Sequence, residues 1–147
     1  MEIVNQEYKF SFIIPDEYHE IPKGDYLYYH IDSSTLHVFT KMDDLGIPQT
    51  ISINRDEEAN NEEEYLKLVD LNLENLAKIG MLVEEHIHHR NKRARIDIVY
   101  CSFRGLKFVT YFTTIHRIVI ASSINIKEIN DEDDNTLAAL FESIVEL

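Results

Sequence analysis

Between residues 81 and 126 the chain reads as a run of β-strands with tight connections, and it closes with an acid-capped amphipathic segment over 134–147. Strands in hairpin succession pair antiparallel. An amphipathic helix at the end of such a run must bury its apolar stripe against the sheet. These two requirements together exclude most architectures.

The alternation is clearest over 82–90. Val83, Glu85, Ile87 and His89 share one face; Glu84, His86, His88 and Arg90 share the other. Asn91-Lys92 supplies a two-residue turn, and 94–103 is the returning strand. Arg104-Gly105 turns the chain again. Strands at 107–113 and 117–123 follow, joined by Thr114-Ile115-His116. After a polar break at 130–135, Leu137, Leu140, Phe141 and Ile144 recur at helical spacing, which predicts a C-terminal helix over about 135–146.

In the first half, residues 8–14 alternate and then stop at Pro15, the pattern of a strand. Turns at 15–18 and 22–25 precede strands at 26–31 and 36–42, which Asp32-Ser33-Ser34 joins as a hairpin. A loop at 43–48 leads to 49–54, where Ile51 and Ile53 share a face. The one long helix is predicted over about 61–79. Asn61 and Glu64 form a capping box, Glu62 and Glu63 favour the positive end of the helix dipole, and Gly80 suits a left-handed C-cap. Tyr65, Leu66, Leu68, Val69, Leu73, Leu76, Ala77 and Ile79 make its apolar stripe, with Asn72 at the border.

At 147 residues and 44% hydrophobic composition the chain fits one domain, 1–147, with enough apolar material for one core. The expected class is α+β: an α/β/α sandwich with a central, mainly antiparallel sheet of about six to seven strands. Cys101 is the only cysteine, so no intramolecular disulfide forms; within Ile98-Val99-Tyr100-Cys101 it reads as a small buried hydrophobe.

With 27 acidic and 14 basic side chains the net charge is −13. Such a surface repels a phosphate backbone, which argues against nucleic-acid partners, and attracts a basic protein. No stretch approaches the ~18 apolar residues of a membrane span. The segment Met1-Glu2-Ile3-Val4-Asn5-Gln6-Glu7 shows no basic n-region followed by an apolar stretch, so a cytoplasmic location is expected.

His86-Ile87-His88-His89 is the sharpest local constellation. His86 and His88, two apart on a strand, point the same way and are the candidate metal ligands, with Glu84 or Asp97 as a third. The competing reading is a solvated strand face opposite Arg93, Arg95 and Asp97. Asp131-Glu132-Asp133-Asp134 lacks the spaced ligands and central glycine of a calcium loop and reads as helix N-terminal charge. Arg90, Lys92, Arg93 and Arg95 concentrate four positive charges in six residues, either a solvated hairpin tip or a partner contact. No nucleophile elbow, phosphate loop or dinucleotide fingerprint is present, so neither a cofactor nor a catalytic set is expected.

Phe10-Ser11-Phe12-Ile13-Ile14-Pro15-Asp16-Glu17-Tyr18, the helix, the strand meander with Tyr100, Tyr111 and Phe112, Ile118-Val119-Ile120-Ala121-Ser122-Ser123 and the closing Leu140-Phe141-Glu142-Ser143-Ile144 follow in an order that resembles the PsbP-like and DcrB-like superfamily. The superfamily includes extrinsic photosystem subunits, a yeast Ran-binding nuclear import factor and effector-associated secretion chaperones. The resemblance implies a non-enzymatic protein-binding module: an adaptor, a secretion chaperone or an immunity-type protein. The alternative is a metal- or small-ligand-binding protein that uses the His86/His88 strand face.

Overall fold

The computed structural model describes residues 1–26 and 33–147. The predicted strand at 26–31, and with it the hairpin to 36–42, falls outside the described residues except for Tyr26, whose N–H closes a 3-10 turn on the Lys23 carbonyl. In chain order the elements are β1 (Glu2–Asn5), β2 (Phe10–Ile13), β3 (His19–Glu20), the 3-10 turn Lys23–Asp25, β4 (Thr35–Met42), β5 (Pro48–Glu58), α1 (Glu62–Lys78), β6 (Leu82–Arg90), β7 (Arg95–Phe103), β8 (Leu106–Ile115), β9 (Ile118–Ile126), α2 (Glu132–Glu142) and β10 (Val145–Glu146).

Among the described residues seven strands form one antiparallel sheet in the order β3-β4-β5-β9-β8-β7-β6, and β1-β2-β10 form a second, three-stranded sheet. The alternation of each strand divides the large sheet into two apolar faces. On one face Ile96, Ile98, Tyr100, Val109, Tyr111, Ile120 and Ile124 pack with Leu137, Leu140 and Phe141 of α2 and with Phe10 and Phe12 of β2. On the other, Val99, Cys101, Phe112 and Val119 pack with Tyr65 and Val69 of α1. The result is the α/β/α sandwich that the pattern predicts. Phe141 is fully buried, and truncating such a side chain to alanine removes about 3–5 kcal/mol.

Helix α1 begins and ends as its sequence requires. Asn61 Oδ1 accepts the Glu64 N–H, and Glu64 reaches back to the N–H of Asn60. Gly80 at φ +93° ends the helix: its N–H bonds to the Ala77 carbonyl and that of Met81 to Leu76, the paired bonds of a Schellman motif. Leu76 and Met81 both pack on the same core, which supplies the apolar contact of that motif.

Elsewhere the structure departs from the pattern. Helix α2 starts and stops earlier than 135–146. Asp131 is its N-cap, accepting the Asp134 N–H, so Glu132 is already helical. Beyond Ser143 the chain extends, and Val145 and Glu146 pair with Ser11 and Phe10. Ile144 therefore reaches the core from outside the helix. Strand β2 pairs with β1 and β10 in the small sheet and not with the large one; Phe10, Ser11 and Phe12 are buried, and Ile13 at its end is exposed. The β6–β7 turn is Lys92-Arg93, not Asn91-Lys92, since the Asn91 N–H bonds to the Ala94 carbonyl. The link between β8 and β9 is the pair His116-Arg117, because Ile115 stays in register with Ile118.

Candidate functional site

Most of the residues that sequence chemistry singles out lie on the β6–β7 hairpin, at the end of the large sheet. Among the described residues strand β6 is an edge, paired only with β7. The bonded pair Asn91–Ala94 fixes the ladder. Antiparallel pairs alternate, so residues 85, 87 and 89 exchange hydrogen bonds with β7, and the N–H and C=O groups of His86, His88 and Arg90 face outward. A bulge between Val83 and Glu85 breaks the register at Glu84.

His86 and His88 share the α1 face, as their spacing predicts, and the register places Asp97 opposite His88. Asp97 is fully buried. Its carboxylate accepts four hydrogen bonds: Oδ1 from His86 Nε2 (2.8 Å) and Arg95 Nη2 (3.2 Å), Oδ2 from the Tyr65 hydroxyl (2.7 Å) and Arg95 Nε (3.0 Å). Burial by itself opposes its ionisation. The bonds from Arg95, Tyr65 and His86 outweigh that and hold the carboxyl below its ordinary range. The same carboxylate raises the Arg95 guanidinium, and burial with the Asp97 charge pushes the Tyr65 phenol far up. Asp97 is thus the charged centre of a satisfied network that ties β6, β7 and α1 together. The Nε2 of His86 is committed to it, so a cation at His86 would have to use Nδ1. Among the described residues no three His, Cys, Asp or Glu side chains converge as a metal centre requires.

At the hairpin tip the basic run opens onto a cleft of about 260 Å³ lined by Arg90, Arg93, Arg95, Arg117, Tyr65 and Thr114. Arg90 pairs with Glu62 of α1. Arg93 donates to the Thr114 carbonyl, to Thr113 Oγ1 (2.8 Å) and to Glu146 (3.3 Å). Burial pulls its guanidinium below the ordinary value, and Glu146 opposes that. Arg117, from the β8–β9 turn, and Tyr65, from α1, belong to this cleft although sequence patterns place them elsewhere, one in a strand and one in a helix stripe. No local signal marks either as a neighbour of Arg93.

The other buried carboxylate has a structural role. Asp134 accepts from the hydroxyls of Tyr100 (2.9 Å) and Tyr111 (3.0 Å) and from the Asn130 N–H (2.9 Å). Asp131 accepts from the N–H groups of Lys127, Glu128 and Asp134. The acidic run is therefore helix-capping chemistry. Burial raises the Cys101 thiol, with Glu84 adding to the effect, which leaves it a poor nucleophile. Among the described residues no helix is long and apolar enough to cross a membrane.

No family model matches the chain, and no curated protein does. Among solved structures it is similar to the solution structure of cyanobacterial PsbP (CyanoP) from Synechocystis sp. PCC 6803, with a TM-score of 0.67 at 11% identity over 100% of this chain and 92% of that one. The chain has a PsbP-like fold.

Proposed function

We propose that this chain is a non-enzymatic, cytoplasmic protein-binding module, an adaptor, secretion chaperone or immunity-type protein, that receives its partner on the open edge of β6. The observation that carries this reading is the edge itself. It is nine residues long, its side chains are almost all exposed, and its outward backbone groups at His86, His88 and Arg90 face away from β7. An added strand would gain main-chain hydrogen bonds there, and Ile87, His89 and Arg90 would read its side chains. Among the described residues the opposite edge, β3, offers two residues. The net charge of −13 favours encounter with a basic partner. The PsbP-like fold supports the reading by analogy only, since function resides in sites and not in folds.

Affinity purification of the tagged chain from its native extract, at low and then high salt, tests this beside His88→Pro. Proline at 88 removes an outward N–H and no β6–β7 bond, so the variant folds. One dominant, salt-sensitive basic protein that the variant loses is the expected result. Recovery of no partner would overturn the binding reading. Equal recovery by His88→Pro would overturn the edge assignment alone.

A further inference from the structure

We infer that the arginine cleft at the hairpin tip is a binding site for a small molecule bearing a phosphoryl group. The chain has six arginines and a net charge of −13, yet four of the six line this one cleft. Like charges gathered at one place repel, so the arrangement calls for counter-ions. The chain supplies three: Glu62 for Arg90, Glu146 for Arg93 and Asp97 for Arg95. Arg117 has no ion-pair or hydrogen-bond partner for its side chain among the described residues, and Nε of Arg93 is buried without an acceptor. One positive charge is therefore left over at the cleft, and one unpaired donor lies buried within its lining.

The turn that carries the free guanidinium is held in place. Arg117 and the preceding His116 both take positive φ, 68° and 49°, in a two-residue hairpin turn where Asn-Gly is the easy choice. The His116 N–H donates to Glu146, its ring donates to the Lys9 carbonyl, and the Arg117 carbonyl accepts the Ala59 N–H at 2.7 Å. These bonds fix the turn as a wall of the cleft.

A tetrahedral oxyanion presents several terminal oxygens to guanidiniums that arrive from two different hairpins, whereas a carboxylate satisfies a single fork. The helix N-terminus adds little here, since Asn61 already caps it and Glu62, Glu63 and Glu64 occupy its first turn. At about 260 Å³ the cavity takes a phosphoryl group with a short substituent and lies just below the usual range for larger ligands. This site adjoins the β6 edge and shares Arg90 with it, whereas Arg93, Arg95 and Arg117 belong to the cleft alone.

Calorimetric titration of the full chain with inorganic phosphate and with glycerol phosphate, in chloride buffer at matched ionic strength and with acetate as the control, tests the assignment. Saturable one-to-one binding is expected, weakened about tenfold or more in Arg117→Gln and in Arg90→Gln, two exposed positions whose loss spares the fold. Tighter binding of glycerol phosphate identifies an ester ligand and equal binding a free ion; both support the site. Absence of saturation, equal binding of acetate, or full retention of phosphate binding in both variants would overturn it.

Discussion

At Asp97 one buried carboxylate satisfies Arg95, His86 and Tyr65 together. Replacing it by Asn leaves the half-buried Arg95 guanidinium without its counter-charge, and breaking such a pair costs about 3 kcal/mol. Urea denaturation of Asp97→Asn is expected to show that loss at neutral pH. The acid limb supplies a second check. The folded carboxyl lies below its ordinary value of 3.8, so the stability it contributes is complete above that value and is lost as pH falls through the folded one. Wild-type stability should therefore fall more steeply than that of Asp97→Asn below about pH 4. At this scale the sequence was partly readable. The apolar run around Cys101 announced burial, and strand alternation put His86 and His88 on one face. The commitment of His86 to Asp97 was visible only as a cross-strand possibility, because the register sets it.

At the scale of elements, the ends of α1 are the clearest case of local chemistry deciding structure. Gly80 has φ +93°, and a Cβ there would meet the Phe103 ring at 3.3 Å. Gly80→Ala is expected to cost about 1 kcal/mol or more in thermal or chemical denaturation. Gly24→Ala is the control, since it has open space and no positive φ, and its stability should be unchanged within error. Both ends of α1 were legible because a cap is chemistry between residues three to five apart. The start of α2 was not. Four acidic residues in succession offer equivalent caps, and Asp131 prevails because it also collects the N–H groups of Lys127 and Glu128. The two hairpin turns slipped for a related reason: the ladder bonds on either side, and not the most turn-prone dipeptide, set where each strand stops.

Across the whole molecule, the last residues tie the two sheets and the arginine cleft together. Val145 and Glu146 pair with β2, the Leu147 N–H bonds to the Lys9 carbonyl, and the Glu146 carboxylate accepts from both Arg93 and the His116 N–H. Removing residues 145–147 should speed amide hydrogen exchange in β2 and at His116. The central ladder of β5, β9 and β8 should keep its protection, which exchange mass spectrometry can resolve. The strand-rich second half, the two amphipathic helices and the sandwich they imply could be read from the residues, since periods of two and 3.6 and the caps are written in residues close along the chain. The rest emerged from packing: the placing of β2 in a second sheet, the short strands β1, β3 and β10, and the meeting of Arg90, Arg93, Arg95 and Arg117. Strands of two to four residues have too few positions to show a period, and side chains from separate hairpins converge through packing that no local pattern encodes.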